Sequence, residues 1–132
     1  MSHPKLNDIH DNRMSAFTQT LGLELISLEQ DGCSMRLEIG PQHFNAGGRV
    51  HGGVTFSLLD SAMGAAVYAR LDDHETTATI ECKINYTRAV TGGVLECRAK
   101  VVHAGTRTMV VDGEVWQDGT LVAKCLGTFA RI

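Results

Sequence analysis

The chain of 132 residues has a formal net charge of −3, and 20% of its residues are charged. This mild negative charge argues against nucleic acid as the main partner, which would favour a clearly basic domain. No apolar run reaches the ~18 residues of a membrane span, and the polar first twelve residues lack a signal-peptide core, so we expect a cytoplasmic protein. The length predicts one domain over residues 1–132, with residues 1–11 as a flexible segment.

The first predicted elements are a helix and a hairpin. Residues 8–20 predict a short helix that stops at Gly22. Two strands are then predicted over residues 23–29 and 34–39, and the Asp-Gly pair between them is a two-residue hairpin signal.

The loop over residues 41–53 contains one proline and four glycines and ends in His51-Gly52-Gly53. Glycines just before a helix leave backbone N–H groups approachable, and a helix N-terminus attracts negative charge through its unpaired N–H groups and its dipole. Such a group can act as an oxyanion hole. The alternative interpretation is that Gly52 and Gly53 only make a tight turn.

A helix is predicted over residues 54–70, a segment rich in Ala, Leu and Met, in which Asp60 is the only charged residue before Arg70. A helix this apolar is buried on most sides. Asp60 lies past the first turn, so it is not an N-cap. It is either part of a solvated polar stripe or a buried carboxylate whose pKa is tuned at a site.

The second half of the chain predicts strand after strand. Residues 78–86 alternate, so that one face carries Ala78, Ile80, Cys82, Ile84 and Tyr86 and the polar face carries Thr79, Glu81, Lys83 and Asn85. Further alternating segments cover residues 95–101, 109–115 and 121–130, with Gly-Gly and Asp-Gly turns among them. Turns this short imply antiparallel neighbours. The fold class is therefore α+β, with one central helix wrapped by a curved antiparallel sheet.

The four cysteines form no Cys-x-x-Cys pair, so we expect no zinc site. We expect no other metal and no cofactor either. Three of them lie in alternating strand segments, where a free thiol behaves as a small apolar filler.

The spacing of Gly52 and Asp60 predicts a dimer. Eight residues of helix separate them, which is about 12 Å at ~1.5 Å per residue. A general base and an oxyanion donor must both lie close to one reacting group. One helix cannot satisfy both, but two helices related by a two-fold axis can bring Asp60 of one chain to Gly52 of the other.

Other polar residues are open to two interpretations. His51 and Asn45 hold the loop or contact a substrate. Arg88 is either a solvated charge or a contact for a phosphorylated ligand. The run Gly105-Thr106-Arg107-Thr108 is a candidate phosphate contact, because cations and hydroxyl groups suit phosphates.

The pattern Asn45-x5-His51-Gly52-Gly53-x6-Asp60-Ser61, at the head of an apolar helix, resembles the PaaI-like thioesterases of the hotdog superfamily. The likeness covers about residues 12–131. It implies a helix wrapped by an antiparallel sheet, homodimers with shared active sites that commonly pair into tetramers, and hydrolysis of acyl- or aryl-CoA thioesters without a metal.

The resemblance also implies roles for individual residues. Asp60 matches the catalytic carboxylate, as nucleophile or as general base, and the Gly52 amide matches the oxyanion donor. Asn45 and His51 match the pair that positions the thioester. Residues with implied supporting roles are Thr79, where a relative has a water-holding serine, Gly53 in the substrate-binding loop, and Arg88, Thr106, Arg107 and Thr108 near the nucleotide of coenzyme A.

Two rival functions are an enoyl-CoA hydratase or dehydratase of the same fold and a non-catalytic acyl-CoA-binding module. The first rests on Pro41-Gln-His43-Phe44, which superficially resembles the His-Phe of fatty-acid dehydratases. Those enzymes use a different spacing to the helix acid. A binding module is expected to lack the carboxylate, and Asp60 is present.

Overall fold

The computed structural model describes residues 3–132, without the side chains of residues 12 and 13. Three α-helices are α1 (Leu6–Asp8), α2 (Ala16–Leu21) and α3 (Gly52–Tyr68), with a π-helical turn over Ile9–Arg13. Six strands are β1 (Glu24–Leu28), β2 (Gly32–Glu38), β3 (Thr77–Tyr86), β4 (Val94–Ala104), β5 (Thr108–Gln117) and β6 (Thr120–Arg131). No helix in the described range is long and apolar enough to cross a membrane.

The strands form one sheet in the order β1-β2-β4-β5-β6-β3, and every neighbouring pair is antiparallel. One face of α3 lies against this curved sheet. The α3 side chains buried there are Val54, Thr55, Leu58, Leu59, Ala62, Met63, Ala66 and Val67. The predicted α+β architecture is confirmed. The predicted strand boundaries agree with the structure to within a few residues.

Helix α3 begins at Gly52, two residues before the predicted start. The His51 side chain caps it, because its Nδ1 accepts a hydrogen bond from the Gly53 N–H at 2.8 Å. Gly52 and Gly53 therefore occupy the first turn of the helix. Glycine has a low helix propensity, and the cap offsets that cost.

The single helix predicted over residues 8–20 is wrong. The backbone is extended at Met14 and Ser15, and the Ser15 hydroxyl accepts a hydrogen bond from the Thr18 N–H at 3.1 Å. Ser15 is thus the N-cap of a second helix, α2, and it separates α2 from the preceding π-helical turn. The predicted stop at Gly22 is confirmed, and this residue is in the left-handed conformation. The flexibility expected of residues 1–11 stays a prediction.

The face predicted for the start of β3 is also wrong. Thr79 lies opposite the buried Phe129, whereas the next residue to pair is Glu81, so Ile80 is the extra residue of a β-bulge. The bulge reverses the alternation. Thr79 therefore faces α3, and Ile80 is 56% exposed.

Two glycines of the sheet leave no room for a side chain beside α3. A Cβ on Gly113 would lie 2.8 Å from Leu59 Cδ2, and a Cβ on Gly127 would lie 2.7 Å from Met63 Cε and 3.1 Å from the Glu81 carbonyl oxygen. By contrast, a Cβ on Gly64 of α3 would meet Phe129 at an ordinary 3.8 Å.

We expect Gly127→Ala and Gly64→Ala to change stability in opposite directions. Gly127→Ala overpacks the contact with α3 and should lower the free energy of unfolding by roughly 1–3 kcal/mol. Gly64→Ala adds the same methyl group where there is room and should raise it by about 0.5–1 kcal/mol through helix propensity. Denaturant unfolding of both variants checks this; equal shifts would contradict the packing described here.

Candidate active site

The loop before α3 is held by its own polar side chains. The Asn45 Oδ1 accepts hydrogen bonds from the N–H groups of Gly47 and Arg49 at 2.8 and 3.1 Å. The Asn45 N–H donates to the Arg49 carbonyl at 2.7 Å, which closes the turn. The side-chain oxygen of Asn45 is therefore engaged within the loop, and the residue is exposed.

The first amide of α3 is an available donor. The His51 N–H donates to the His43 carbonyl at 2.8 Å, and the Gly53 N–H is taken by the His51 ring. Among the hydrogen bonds of residues 3–132, none takes up the Gly52 N–H. Since the first N–H groups of a helix lack partners within it, this amide adds to the positive end of the α3 dipole.

Tyr86, at the end of β3, contacts Gly52 closely. Its hydroxyl donates to the Gly52 carbonyl at 2.7 Å. A Cβ on residue 52 would lie 3.1 Å from the Tyr86 hydroxyl oxygen, so glycine gives the tyrosine room. The sequence did not single out Tyr86 as a site residue, because an aromatic residue in a strand is ordinary.

The carboxylate of Asp60 is oriented by β3. The Thr79 hydroxyl donates to Asp60 Oδ1 at 2.7 Å, and the Cys82 thiol lies 3.9 Å from the same oxygen. Burial first, and then the neighbouring Cys125 and Asp60, raise the pKa of Cys82 to about 12. The Cys82 thiol therefore stays protonated at neutral pH and does not compete as a nucleophile. Asp60 itself is half-buried.

Strand β3 thus contacts α3 at two separate places. Near its start, Thr79 reaches Asp60; at its end, Tyr86 reaches Gly52. Both Gly52 and Asp60 lie in the same helix, so about 12 Å of helix separates them in one chain.

The predicted nucleotide contacts lie at opposite ends of β3. Arg88 follows Tyr86 and lines an open cavity of about 410 Å³ together with Asn45, Arg49 and Gly52. Arg107 lies in the turn between β4 and β5, where its carbonyl accepts from the Arg131 N–H at 2.8 Å. Thr106 precedes it in that turn, and Thr108 is the first residue of β5. One chain therefore does not bring these two groups together.

Arg49 was not singled out from the sequence. Its position beside Arg88 depends on how the loop before α3 folds onto the segment after β3, where the Val50 N–H donates to the Val90 carbonyl at 2.8 Å. A lone arginine in a glycine-rich loop gave no signal for that contact.

His43 has a structural role. It is 1% exposed, its Nδ1 accepts from the Gly40 N–H at 2.9 Å, and its Nε2 lies 2.7 Å from the Leu21 carbonyl oxygen. Both ring nitrogens are engaged within the fold, which argues against His43 as the catalytic histidine of the dehydratase alternative. Among residues 3–132 no group of three or more His, Cys, Asp or Glu side chains could hold a metal ion.

The thioesterase superfamily model matches residues 47–124, which is more than half of the chain. The conserved protein PA5202 of Pseudomonas aeruginosa is 44% identical, with a TM-score of 0.87 over 89% of this chain and 94% of that one. The E. coli PaaI structure has a TM-score of 0.87 at 28% identity, over 96% of this chain and 89% of that one. In sequence, the E. coli acyl-coenzyme A thioesterase PaaI is 29% identical over 87% of this chain and 81% of its own.

The fold and the matched model define a thioester hydrolase with the hotdog architecture. The chain belongs to the thioesterase superfamily, and it is PaaI-like within it. The resemblance inferred from the Asn-His-Gly-Gly-Asp pattern is therefore confirmed.

Proposed function

We propose that this protein hydrolyses the thioester of an acyl- or aryl-CoA to a free acid and coenzyme A. The observation that carries the proposal is the Asp60 carboxylate, held by the Thr79 hydroxyl in a helix whose first amide is available. The similarity to the E. coli acyl-coenzyme A thioesterase PaaI supports coenzyme A as the thiol.

In this proposal the reaction divides between two groups. Asp60 attacks the thioester carbonyl or removes a proton from an attacking water. The Gly52 N–H, with the α3 dipole behind it, stabilises the negative charge that develops on the carbonyl oxygen. The carbon–sulfur bond breaks, the sulfur leaves with a proton as coenzyme A, and water supplies the second oxygen of the acid. Asn45, His51 and Gly53 fix the loop that presents Gly52.

We infer that the site is completed by a second copy of the chain. Strand β3 is an edge of the sheet, and an edge strand offers unpaired N–H and C=O groups to another strand. Antiparallel pairing of two β3 strands centred on Lys83, with the bulge at Ile80 taking up one residue, would set Thr79 of one chain opposite the partner's Tyr86. Asp60 and the partner's Gly52 would then approach one carbonyl. A pairing of two such dimers into a tetramer stays a prediction.

The same pairing would bring arginine side chains of the two chains close together. The turn that carries Arg107 lies beside the start of β3, and Arg88 follows the end of β3. Antiparallel β3 strands would therefore bring Arg107 near the partner's Arg88 and Arg49. The phosphate groups of coenzyme A are the natural occupants of such a cluster, because arginine pairs well with phosphate.

Charge reversal at Arg88 or Arg107 should raise KM more than it lowers kcat. The nucleotide is remote from the bond that breaks, so these contacts act on binding rather than on the transition state. Steady-state kinetics of Arg88→Glu and Arg107→Glu measure the split, with Lys100→Glu on the exposed face of β4 as the matched control. If neither arginine reversal changes KM, the nucleotide binds elsewhere.

The test of the function is a thiol-release assay over a panel of acyl- and aryl-CoA substrates. Release of free coenzyme A together with the acid is the expected result. Tight binding of acyl-CoA esters without release would instead indicate a binding module, and consumption of an enoyl-CoA without free thiol would indicate a hydratase.

A further inference from the structure

An apolar cavity of about 210 Å³ lies between the N-terminal segment, α3 and the β1–β2 hairpin. Ile9 and Met14 form its outer wall, Leu25 and Met35 its floor, and Gly64 and Tyr68 the side contributed by α3. Thr18 also lines the cavity, but its hydroxyl is paired with the Ser15 hydroxyl at 2.7 Å. A cavity lined in this way offers water few partners and favours an apolar occupant.

The cavity begins beside Asp60. Ser61, the next residue of α3, lines it, and Gly64 lies four residues after Asp60 on the same side of the helix. A chain that extends from the Asp60 carboxylate along α3 towards Tyr68 therefore reaches the cavity about one helical turn further on.

The N-terminal wall is fastened to the end of α3. The Lys5 ammonium donates to the Tyr68 carbonyl at 3.0 Å and to the Leu71 carbonyl, and it lies 4.6 Å from the centre of the Tyr68 ring. The Tyr68 hydroxyl donates to the Asp8 carboxylate. A cation at the last carbonyls of a helix also interacts favourably with the negative end of the helix dipole. On this side the cavity is lined by Met14 and by Ile9, which is only 5% exposed.

We propose that this cavity receives the acyl group, and that the N-terminal segment, through Met14, sets the longest acyl group accepted. This inference rests on the proposed thioesterase function. An apolar cavity of about 150 Å³ holds one benzene molecule. The cavity here therefore holds about eight heavy atoms, which corresponds to an aryl-acetyl group or a medium-length linear acyl chain. Longer chains meet Met14 and Tyr68.

Two substitutions change the cavity in opposite directions. Met14→Ala removes side-chain atoms from the outer wall and should extend acceptance to longer chains. Gly64→Ala adds a methyl group in a place with room for it and should shift the limit to shorter chains. Phe17→Ala is the matched control, because Phe17 lies in the same N-terminal region but is 61% exposed and does not line the cavity.

The measurement is kcat/KM over straight-chain substrates from acetyl-CoA to palmitoyl-CoA, divided by the value for acetyl-CoA. Near the length limit, one methylene in an apolar pocket changes this ratio by about tenfold or more. We expect the limit to move outward in Met14→Ala, to move inward in Gly64→Ala, and to stay in Phe17→Ala. If melting curves show that the first two variants are folded and both keep the wild-type profile, the acyl group lies elsewhere and the inference is overturned.

Tyr68→Phe tests the hydrogen bond that holds the N-terminal segment against α3 separately from the side chains that line the cavity. It keeps the ring that lines the cavity but removes the hydroxyl contact with Asp8. Acceptance of longer chains by this variant supports a wall held by the N-terminal segment, and an unchanged limit shows that the contact with Asp8 does not set it.

Calorimetric binding to an Asp60→Asn variant distinguishes failure of this inference from failure of the proposed function. Affinity that rises with chain length up to a limit, and a limit that moves with Met14→Ala, supports the cavity even if no turnover is found. Turnover by the wild type with a limit that neither substitution moves preserves the function and overturns the cavity.

Discussion

Asp60→Asn is expected to fold normally and to lose thioester cleavage by roughly 10²- to 10⁴-fold in kcat. Asparagine has the same shape and keeps a side-chain oxygen that can accept the Thr79 hydroxyl hydrogen bond. It lacks the negative charge that a base or a nucleophile needs. Thiol release under saturating substrate measures the loss, and a melting curve shows that the fold is kept.

Thr79 supplies the matched controls for that prediction. Thr79→Ala removes only the group that orients the carboxylate, so it should lower kcat less than Asp60→Asn does. Thr79→Ser restores a hydroxyl at the same position and should recover most of the activity. Wild-type kcat in Asp60→Asn would show that another group performs the chemistry.

Gly52→Val is expected to lower kcat by about 10²- to 10³-fold, the usual effect of losing an oxyanion donor. The donor is a backbone amide, so the substitution acts by filling the space in front of it. A Cβ at residue 52 would already lie 3.2 Å from Tyr86 Cζ, and valine adds two further methyl groups. Ala46→Val, at an exposed position in the same loop, is the control. Full activity of Gly52→Val would contradict binding of the thioester carbonyl in the space in front of the Gly52 amide.

Much of the fold follows from periodicity and turn chemistry. The Asp118-Gly119 turn between β5 and β6 has φ angles of 48° and 79°, as expected for an Asp-Gly hairpin. The buried helix is predictable because residues 54–69 are apolar or small and contain no charged residue except Asp60. The alternation predicted over residues 109–115 is present in β5, where Met109, Val111 and Val115 are buried.

What the sequence could not predict depends on long-range packing. The bulge at Ile80 is not encoded by any glycine or proline, yet it turns Thr79 towards Asp60 and makes the pattern of alternation fail there. The contact of Tyr86 with Gly52 requires β3 to lie beside α3, which short-range signals do not specify. The family resemblance therefore predicts Thr79 as a site residue, whereas the alternation of β3 alone predicts that it points away from α3.

The central claim, a site shared between Asp60 and the partner's Gly52, is tested most directly by mixing two inactive variants. Asp60→Asn and Gly52→Val homodimers should both have little activity. After subunit exchange, a mixed dimer holds one site with wild-type Asp60 from the Gly52→Val chain and wild-type Gly52 from the Asp60→Asn chain. We predict that thiol release returns in proportion to the mixed dimer measured by native mass spectrometry. Mixed dimers that form without any return of activity would contradict the shared site.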